Sequence, residues 1–277
     1  MRVSKDCYQC LERQVYQTAE FASSSEKIRA KAIEKGLGAL KQNFLPYKTP
    51  TQVSGEVQRV IRAVTQCEDP YRKMKDEEMQ IAIQLYEEII PSYAQDFRSL
   101  VKLSVLGNTV DFFRDFTQVR EDVKKEVYFT IDHVDRVEKK LANSKLILYL
   151  ADNAGEVFFD LPLIKKIGVK KVIYVVKDKP VQDDLTIEDL KMTGLVSEVK
   201  AMTTGTDTPG IDFSLASGEF KAKFNSADLV IAKGMGHYET LSEEPIKDKI
   251  FYLLMAKCKP IASSLGVPLN SYVAMLQ

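Results

Sequence analysis

The chain has 277 residues, with 39 basic and 39 acidic side chains and therefore a formal net charge of zero. This balance argues against a nucleic-acid-binding surface, which needs a basic excess or a basic stripe. No segment approaches the roughly 18 uninterrupted apolar residues of a membrane span, and residues 1–14 lack the apolar core of a signal peptide. We therefore expect a cytoplasmic protein with neither a nucleic-acid nor a membrane partner. Its oligomeric state is left open.

The first part of the chain, up to about Phe116, has the periodicity of amphipathic helices. Apolar residues recur at intervals of three and four positions, which places them on one face of a helix. Two such stripes are formed by Val57, Val60, Ile61 and Val64, and by Met79, Ala82, Ile83, Tyr86, Ile89 and Ile90. We expect several helices here and no strand.

From about Lys140 onward, short apolar runs alternate with helical stretches. The runs expected to form buried strands are 145–151, 171–177, 227–233 and 249–256, with a weaker one at 196–202. The expected helices between them include 156–168 and 186–194. This alternation predicts an α/β fold with a mostly parallel sheet that is covered on both faces.

Polar side chains follow three consecutive predicted strands. Asp152 and Asn153 follow the first, Asp183 and Asp184 the second, and Lys233 with a Gly-Met-Gly turn the third. Open parallel sheets bind ligands at the carboxyl ends of their strands. Carboxylate and amide oxygens suit Mg²⁺ or Mn²⁺, and a lysine with glycine-loop amides suits a phosphate. The pattern favours metal-assisted phosphoryl chemistry, although the acids and the amide are equally typical of helix N-caps.

Six stretches carry a resemblance to a known family. They are CYQCLERQ at 7–14, LGNTVDF at 106–112, DNAGEVFFD at 152–160, KPVQDDLTIED at 179–189, ADLVIAKGMGHYETL at 227–241 and AKCKPIASSLGV at 256–267. In this order and spacing they resemble the DUF89 family, the damage-control phosphatases with an ARMT1-like metal-binding domain. The compact prokaryotic and archaeal branch is the most similar. The resemblance implies a helical domain, residues 1–118, packed on a three-layer α/β/α Rossmann-like domain, residues 119–277, with a cleft between them.

The resemblance also implies an activity and its catalytic residues. The expected enzyme is a phosphatase that depends on Mg²⁺, Mn²⁺, Co²⁺ or Ni²⁺ and acts on small phosphorylated metabolites such as sugar phosphates. Asp152, Asn153 and Asp184 match the metal-ligand positions of the family. Lys233 matches the lysine expected to hold the substrate phosphate.

Further residues are expected to contact the substrate. They are Asn108 and Asp111, which would reach the cleft from the helical domain, and Glu156, Gly234, Met235 and His237. Backbone amides of Gly234 and Met235 would offset charge that develops on the phosphoryl oxygens. The nucleophile stays open between a water molecule activated at the metal and direct attack by Asp152 through an aspartyl-phosphate.

The four cysteines suggest a second site. Cys7 and Cys10 form a C-x-x-C pair, while Cys67 and Cys258 lie far along the chain. Four thiolates suit a structural zinc ion or an iron–sulfur cluster. The alternatives are inert buried thiols and a redox-active pair.

Two other functions are compatible with parts of the sequence. A Rossmann-like sheet also occurs in S-adenosylmethionine-dependent methyltransferases, although the first strand is not followed by G-x-G-x-x-G and Lys233 would then have no role. A non-catalytic protein that binds a metal or a metabolite is the second alternative.

Overall fold

The computed structural model of the chain describes residues 1–110 and 116–277. The first part is helical, as predicted: α1 Lys5–Ala22, α2 Glu26–Asn43, α3 Pro50–Thr65, α4 Arg72–Ile89, α5 Phe97–Gly107 and α6 Phe116–Asp122. Polar caps begin two of these helices. The Thr49 hydroxyl accepts the Gln52 N–H at 3.2 Å before α3, and the Asp96 carboxylate accepts the Ser99 N–H at 2.9 Å before α5. Such caps satisfy backbone N–H groups that have no acceptor within the helix.

The apolar stripes of these helices are largely where the sequence predicts them. In α3, Val57 and Ile61 are buried in a core shared by α1, α2 and α3. In α4, Ala82 is buried, but the prediction was wrong for Ile83, which is 38% exposed. The next residue of a helix is turned by about 100°, so Ile83 lies outside the buried face, to which Leu85 contributes instead.

The rest of the chain alternates between strands and helices. The strands are β1 Phe129–Asp132, β2 Ile147–Leu150, β3 Val172–Val176, β4 Lys200–Thr203, β5 Leu229–Lys233, β6 Ile250–Met255 and β7 Tyr272–Leu276. The helices are α7 Val134–Leu141, α8 Val157–Ile167, α9 Ile187–Met192, α10 Gly218–Ser226, α11 Gly234–Leu241 and α12 Lys259–Leu265. Strands β2, β3, β5 and β6 confirm the four predicted runs. The weaker run at 196–202 is only partly a strand, because Leu195–Glu198 forms a 3₁₀ helix before β4.

Within the described residues the strands form a single sheet in the order β1-β7-β6-β5-β2-β3-β4. Neighbouring strands are parallel except for β6 and β7, which are antiparallel. Strands β1 and β7 were not predicted. The fold nevertheless confirms the expected α/β class with a mostly parallel sheet and helical N-terminal part.

Both faces of the sheet are covered. Helices α10, α11 and α12 pack on one face, where Phe220, Leu241 and Ile261 are buried. Helices α4, α5 and α8 pack on the other, where Leu103 and Phe159 are buried. Helices α1–α3 form a separate hydrophobic core, whereas α4 and α5 share a core with the sheet. The division between the two cores therefore falls between α3 and α4. The domain boundary at residue 118 stays a prediction.

The order of the strands places a crevice between β2 and β5. From β2 the chain continues to β3 and β4 on one side, whereas β5 leads to β6 on the other. Ligands of open α/β sheets bind outside the carboxyl ends of strands at such a switch point. None of the helices in the described part of the chain is long and apolar enough to cross a membrane.

Candidate active site

The crevice brings together residues that follow β2 and β5. Asp152 comes two residues after the end of β2, and Gly234 directly follows β5 as the first residue of α11. A Cβ atom built on Gly234 would lie 1.7 Å from Asp152 Oδ2, and its φ of +74° is one that side-chain-bearing residues rarely adopt. A glycine at this position is therefore required if the Asp152 carboxylate is to lie where it does.

Backbone hydrogen bonds join the segments that follow β2 and β3. The N–H of Ala154 donates to the carbonyl of Asp183 at 2.8 Å, and the N–H of Leu185 donates to the carbonyl of Asp152 at 2.8 Å. Asn153 and Asp184 form an isolated antiparallel bridge. Two acid-containing segments, bridged by residues that are 31 positions apart in sequence, thus meet at one edge of the sheet.

The capping alternative for these residues does not hold in the described structure. Helix α9 is capped by Thr186, whose hydroxyl accepts the Asp189 N–H at 3.1 Å. Asn153 precedes the 3₁₀ helix Ala154–Glu156 without a capping side-chain hydrogen bond, and Glu156 precedes α8 in the same way. Helix capping therefore does not account for the acids and the amide at the strand ends.

The site concentrates negative charge. Burial, followed by the charges of Glu156 and Asp184, raises the pKa of Asp152 well above its ordinary value. Burial also raises the pKa of Asp184, against the opposing effect of Lys177, whose Nζ lies 3.4 Å from Asp184 Oδ2. Among the described residues, that oxygen accepts no hydrogen bond of good geometry, and the Lys177 contact is a long ion pair. A bound cation would favour the ionised forms of Asp152 and Asp184 and would contact the Asp184 oxygen.

The donor set suits a hard divalent cation. Asp152 and Asp184 supply carboxylates and Asn153 an amide, and all three line one cavity. Such oxygen ligands, together with water, are typical of Mg²⁺ and Mn²⁺. No group of three or more His, Cys, Asp or Glu side chains in the described part of the chain is arranged to hold a metal ion. The fit therefore depends on the amide of Asn153 as the third donor.

Asn108 positions Asp152. It caps the end of α5, and its Nδ2 donates to Asp152 Oδ2 at 3.0 Å and to Glu156 Oε1 at 2.8 Å. Its Oδ1 accepts the N–H of Met255 at 3.1 Å. Asn108 also lines the cavity, so the predicted contact with substrate remains compatible with this orienting role. Asp111, predicted to act beside it, lies outside the described residues.

Lys233 is buried among acidic and carbonyl acceptors. Its Nζ donates to Glu156 Oε2 at 2.7 Å, to Asp160 Oδ1 at 2.6 Å and to the carbonyl of Ser104 at 2.9 Å. Burial alone would lower the Lys233 pKa, but the charges of Asp160 and Glu156 raise it above its ordinary value. Both Lys233 and Glu156 are fully buried, and neither is among the described residues that line the cavity. Their predicted contacts with substrate stay predictions, while the observed contacts are with each other.

The sequence analysis missed Lys257, which is the one cation among the described residues that line the cavity. It follows β6, and its positive charge lowers the pKa of Asp152 against the effect of burial. The available signal was a lysine that directly follows the predicted strand 249–256, within the family-like stretch 256–267. Lys257 therefore brings a positive charge to the cavity that Asp152 lines.

Some of the residues that follow Lys233, in the first turns of α11, line the cavity, and others are buried in the core. Met235 lines the cavity, as does Gly236. His237 is buried, and its Nδ1 donates to the carbonyl of Lys233 at 2.6 Å. Burial, followed by the charge of Lys177, lowers the pKa of His237 to about 3, so its ring is neutral. The predicted contact of His237 with substrate stays a prediction that its buried position does not favour.

The cavity has a volume of about 240 Å³ and lies between α1, α3 and the carboxyl end of the sheet. Pro209, from the loop at 203–214, lines it as well. Ser54 of α3 accepts a hydrogen bond from Gln182 Nε2 at 2.7 Å and donates to Gln14 Oε1 at 3.0 Å. These bonds tie the two parts of the chain together beside the site.

The cysteines do not assemble as a four-thiolate site. Cys7, Cys10 and Cys258 line the cavity, whereas Cys67 follows α3 and is not among the described lining residues. All four are free thiols. The predicted zinc or iron–sulfur site therefore gains no support from the described residues.

The whole chain is similar to known phosphatase-family proteins. It matches the damage-control phosphatase ARMT1-like domain over residues 3–273. A damage-control phosphatase of Pyrococcus horikoshii is 34% identical over 287 residues, which cover 99% of this chain and 98% of the relative. A damage-control phosphatase of Archaeoglobus fulgidus is 31% identical over 293 residues, with 99% of each chain covered.

The fold agrees with these sequence matches. The crystal structure of a DUF89 family protein from Pyrococcus horikoshii superposes with a TM-score of 0.90 and 32% sequence identity. The match covers 100% of this chain and 99% of that chain. The chain belongs to the DUF89 family of proteins with a damage-control phosphatase ARMT1-like domain.

Proposed function

We propose that this protein is a divalent-metal-dependent phosphatase that hydrolyses small phosphorylated metabolites such as sugar phosphates. The observation that carries the proposal is the convergence of Asp152, Asn153 and Asp184 at one cavity that also contains Lys257. Two relatives that match 99% of this chain are named damage-control phosphatases. The choice among Mg²⁺, Mn²⁺, Co²⁺ and Ni²⁺ and the cytoplasmic location remain predictions from the sequence.

Asp152, Asn153 and Asp184 would hold the metal. When bound, such an ion supplies Lewis-acid polarisation of a phosphoryl oxygen. The surrounding residues fix the ligands: Gly234 and Asn108 confine the Asp152 carboxylate, and the backbone bonds between the segments hold Asp184 beside it. Ligands that are already held in place need no reorganisation during the reaction. Such preorganisation is usually the largest contribution to electrostatic catalysis.

Lys257 would neutralise part of the phosphate charge. Helix α11 begins at Gly234, and the first N–H groups of a helix have no acceptor within it. The backbone amides of Gly234 and Met235 would therefore add hydrogen bonds to an anion beside Asp152. Together these groups offset charge that develops on the phosphoryl oxygens during transfer.

Water is the nucleophile that the contacts of Asp152 favour. Its carboxylate is packed against Gly234 and accepts a hydrogen bond from Asn108, which suits a fixed ligand better than a group that must swing to attack phosphorus. Acid-quenched enzyme should then contain no covalently bound phosphate after mixing with labelled substrate. A burst of protein-bound label that is absent in Asp152→Asn would instead establish an aspartyl-phosphate.

The proposal is tested by phosphate release from p-nitrophenyl phosphate and a panel of sugar phosphates, with each of the four metals. Wild type should release phosphate only when metal is added, and Asp152→Ala should reduce the rate at least about 100-fold. Asp178→Ala is the matched control, because Asp178 follows the neighbouring strand β3 but is exposed. No release by wild type with any metal would refute the proposed activity.

A further inference from the structure

Apart from Asp6, the ionisable groups that line the cavity fall into two sets. Asp152 is influenced by the charges of Asp184, Lys257 and Asp183, which form the phosphate-binding end proposed above. A second set surrounds Cys258, whose pKa is raised to about 11, first by burial and then by the charges of Glu239, Cys7 and Cys10. All of these residues line the same cavity. The second set is assigned no role by the proposed hydrolysis.

Glu239 belongs to the helix that connects the two sets. Helix α11 begins at Gly234, against which Asp152 packs, and Glu239 lies one turn after Met235 on the side that lines the cavity. With a rise of about 1.5 Å per residue, Glu239 is about 7 to 8 Å along the helix from Gly234. This is the span between the phosphate and the far hydroxyl groups of a small phosphorylated metabolite.

The carboxyl group of Glu239 is held without charge near neutral pH. Burial raises its pKa to about 8, against the smaller effects of the Met1 amino group and the Thr51 N–H, which lower it. A protonated carboxyl group both donates and accepts hydrogen bonds, as a sugar hydroxyl does. Glu239 can therefore pair with a hydroxyl group in either direction.

The surroundings of Glu239 disfavour a second anion on the substrate. Glu239, Cys7 and Cys10 all act on Cys258 and line the cavity with it. The other charged lining residues are the acids Asp6, Asp152, Asp183 and Asp184 and the cation Lys257, which belongs to the phosphate-binding set. The Met1 amino group, a nearby cation, is already paired with Glu243 Oε1 at 3.5 Å. A carboxylate or a second phosphate entering here would lose its hydration without gaining a counter-charge, which is unfavourable.

We propose that Glu239 binds a hydroxyl group of the substrate and selects phosphomonoesters whose organic part is uncharged and hydroxylated. The inference rests on the proposed phosphatase function and identifies the residue that recognises the part of the substrate remote from phosphorus. Glu239 acts on specificity, whereas Asp152, Asn153 and Asp184 act on every phosphomonoester alike.

The test compares phosphomonoesters whose organic parts carry different groups remote from phosphorus, each measured in wild type and variant. A pentose phosphate and glycerol phosphate present hydroxyl groups, phosphoglycerate replaces one with a carboxylate, and p-nitrophenyl phosphate has none. In Glu239→Leu, kcat/KM for the hydroxylated substrates should fall about 10- to 100-fold, because a hydrogen-bonded group is lost from a desolvated site. The value for p-nitrophenyl phosphate should stay within about threefold, since no contact to it is removed.

Two further variants complete the design. Glu239→Gln should keep most of the activity on the pentose phosphate, because an amide also donates and accepts. Glu243→Gln is the matched control that removes a carboxylate near the same amino group, and it should leave all substrates unaffected. If Glu239→Leu does not fold, as judged by thermal unfolding, Glu239→Ala carries the same prediction.

The outcomes separate this inference from the proposed function. Equal losses on hydroxylated and hydroxyl-free substrates, or no loss on either, would overturn the role of Glu239 while leaving the phosphatase intact. Efficient hydrolysis of phosphoglycerate by wild type, at the rate seen with glycerol phosphate, would overturn it as well. Wild type that hydrolyses nothing with any metal would refute the phosphatase activity and this inference with it.

Discussion

The carboxylate of Asp152 occupies the space that a side chain on Gly234 would need. A Cβ on Gly234 would stand 1.7 Å from Asp152 Oδ2 and 2.2 Å from its Cγ. The two residues follow the neighbouring strands β2 and β5, and they meet at the switch point between these strands. The glycine is thus part of the candidate metal site although it supplies no ligand.

The first prediction concerns this contact. Gly234→Ala should lower kcat/KM for phosphate release at least about 100-fold, because the new methyl group displaces the Asp152 carboxylate. Gly194→Ala provides the control, since Gly194 has the same φ of +74° but no atom within 4 Å of an added Cβ. Gly194→Ala should lose about 1 to 2 kcal/mol of stability from the backbone conformation, and Gly234→Ala should lose more because of the added clash, as measured by denaturant unfolding. Equal activity in the two variants would contradict the steric argument.

The second prediction concerns Lys233, which is buried between Glu156 and Asp160. Lys233→Met should reduce the free energy of unfolding by about 3 to 5 kcal/mol, because it leaves buried carboxylates without a counter-charge. Denaturant unfolding monitored by circular dichroism measures this change. A variant that keeps its stability but loses phosphate binding would instead favour the direct contact with substrate that the sequence predicts.

The third prediction concerns Lys257, which lines the cavity. Lys257→Met should raise the inhibition constant of inorganic phosphate and lower kcat/KM by about 10- to 100-fold, because one charge-assisted hydrogen bond to phosphate is lost. Its stability should stay within about 1 kcal/mol of wild type, as is usual for a partly exposed side chain. Unchanged phosphate inhibition would exclude Lys257 from the phosphate site.

The fourth prediction concerns pH. Burial raises the pKa of Glu239 from an ordinary 4.5 to about 8, so the folded state binds a proton that the unfolded state has lost. The contribution to stability is complete below about pH 4.5 and declines as the pH rises through 8. Metal-free wild type should therefore lose stability between pH 5.5 and 8.5, and Glu239→Gln should lose less. Thermal unfolding at the two pH values measures the difference, and parallel losses in both proteins would contradict the shifted pKa.

Much of the fold could be predicted from the sequence. A strand that is buried on both faces of the sheet consists of a continuous run of apolar residues, which is easily recognised. Strands β2, β3, β5 and β6 are buried along their whole length. Strand β1 alternates between partly buried and exposed residues at the edge of the sheet, over four residues only. Its partner β7 is antiparallel to β6, and its buried residues are interrupted by partly buried ones. Neither strand therefore shows the continuous burial of the central strands.

The sequence indicates which residues follow the strand ends at the candidate site, but it does not indicate in which direction their side chains point. Both Lys233 and Lys257 lie at or after a strand end, and the sequence alone favoured the one in the glycine-rich turn. Side chains alternate between the faces of a strand, and Lys233 is in step with Leu229 and Ile231 on the face covered by α5 and α8. This alternation could have indicated from the sequence that the Lys233 side chain points into the core. The approach of Asn108 to Asp152 depends on how α5 packs on the sheet, which no local pattern specifies.

The central claim is that Asp152, Asn153 and Asp184 form one metal site. Metal-stripped protein should be titrated with Mn²⁺ while electron paramagnetic resonance reports the free ion. Wild type should bind about one Mn²⁺ per chain, and Asp152→Asn and Asp184→Asn should each weaken binding more than about 10-fold, with Asp178→Asn unchanged. Binding in both ligand variants that matches wild type would place the metal elsewhere and contradict the account.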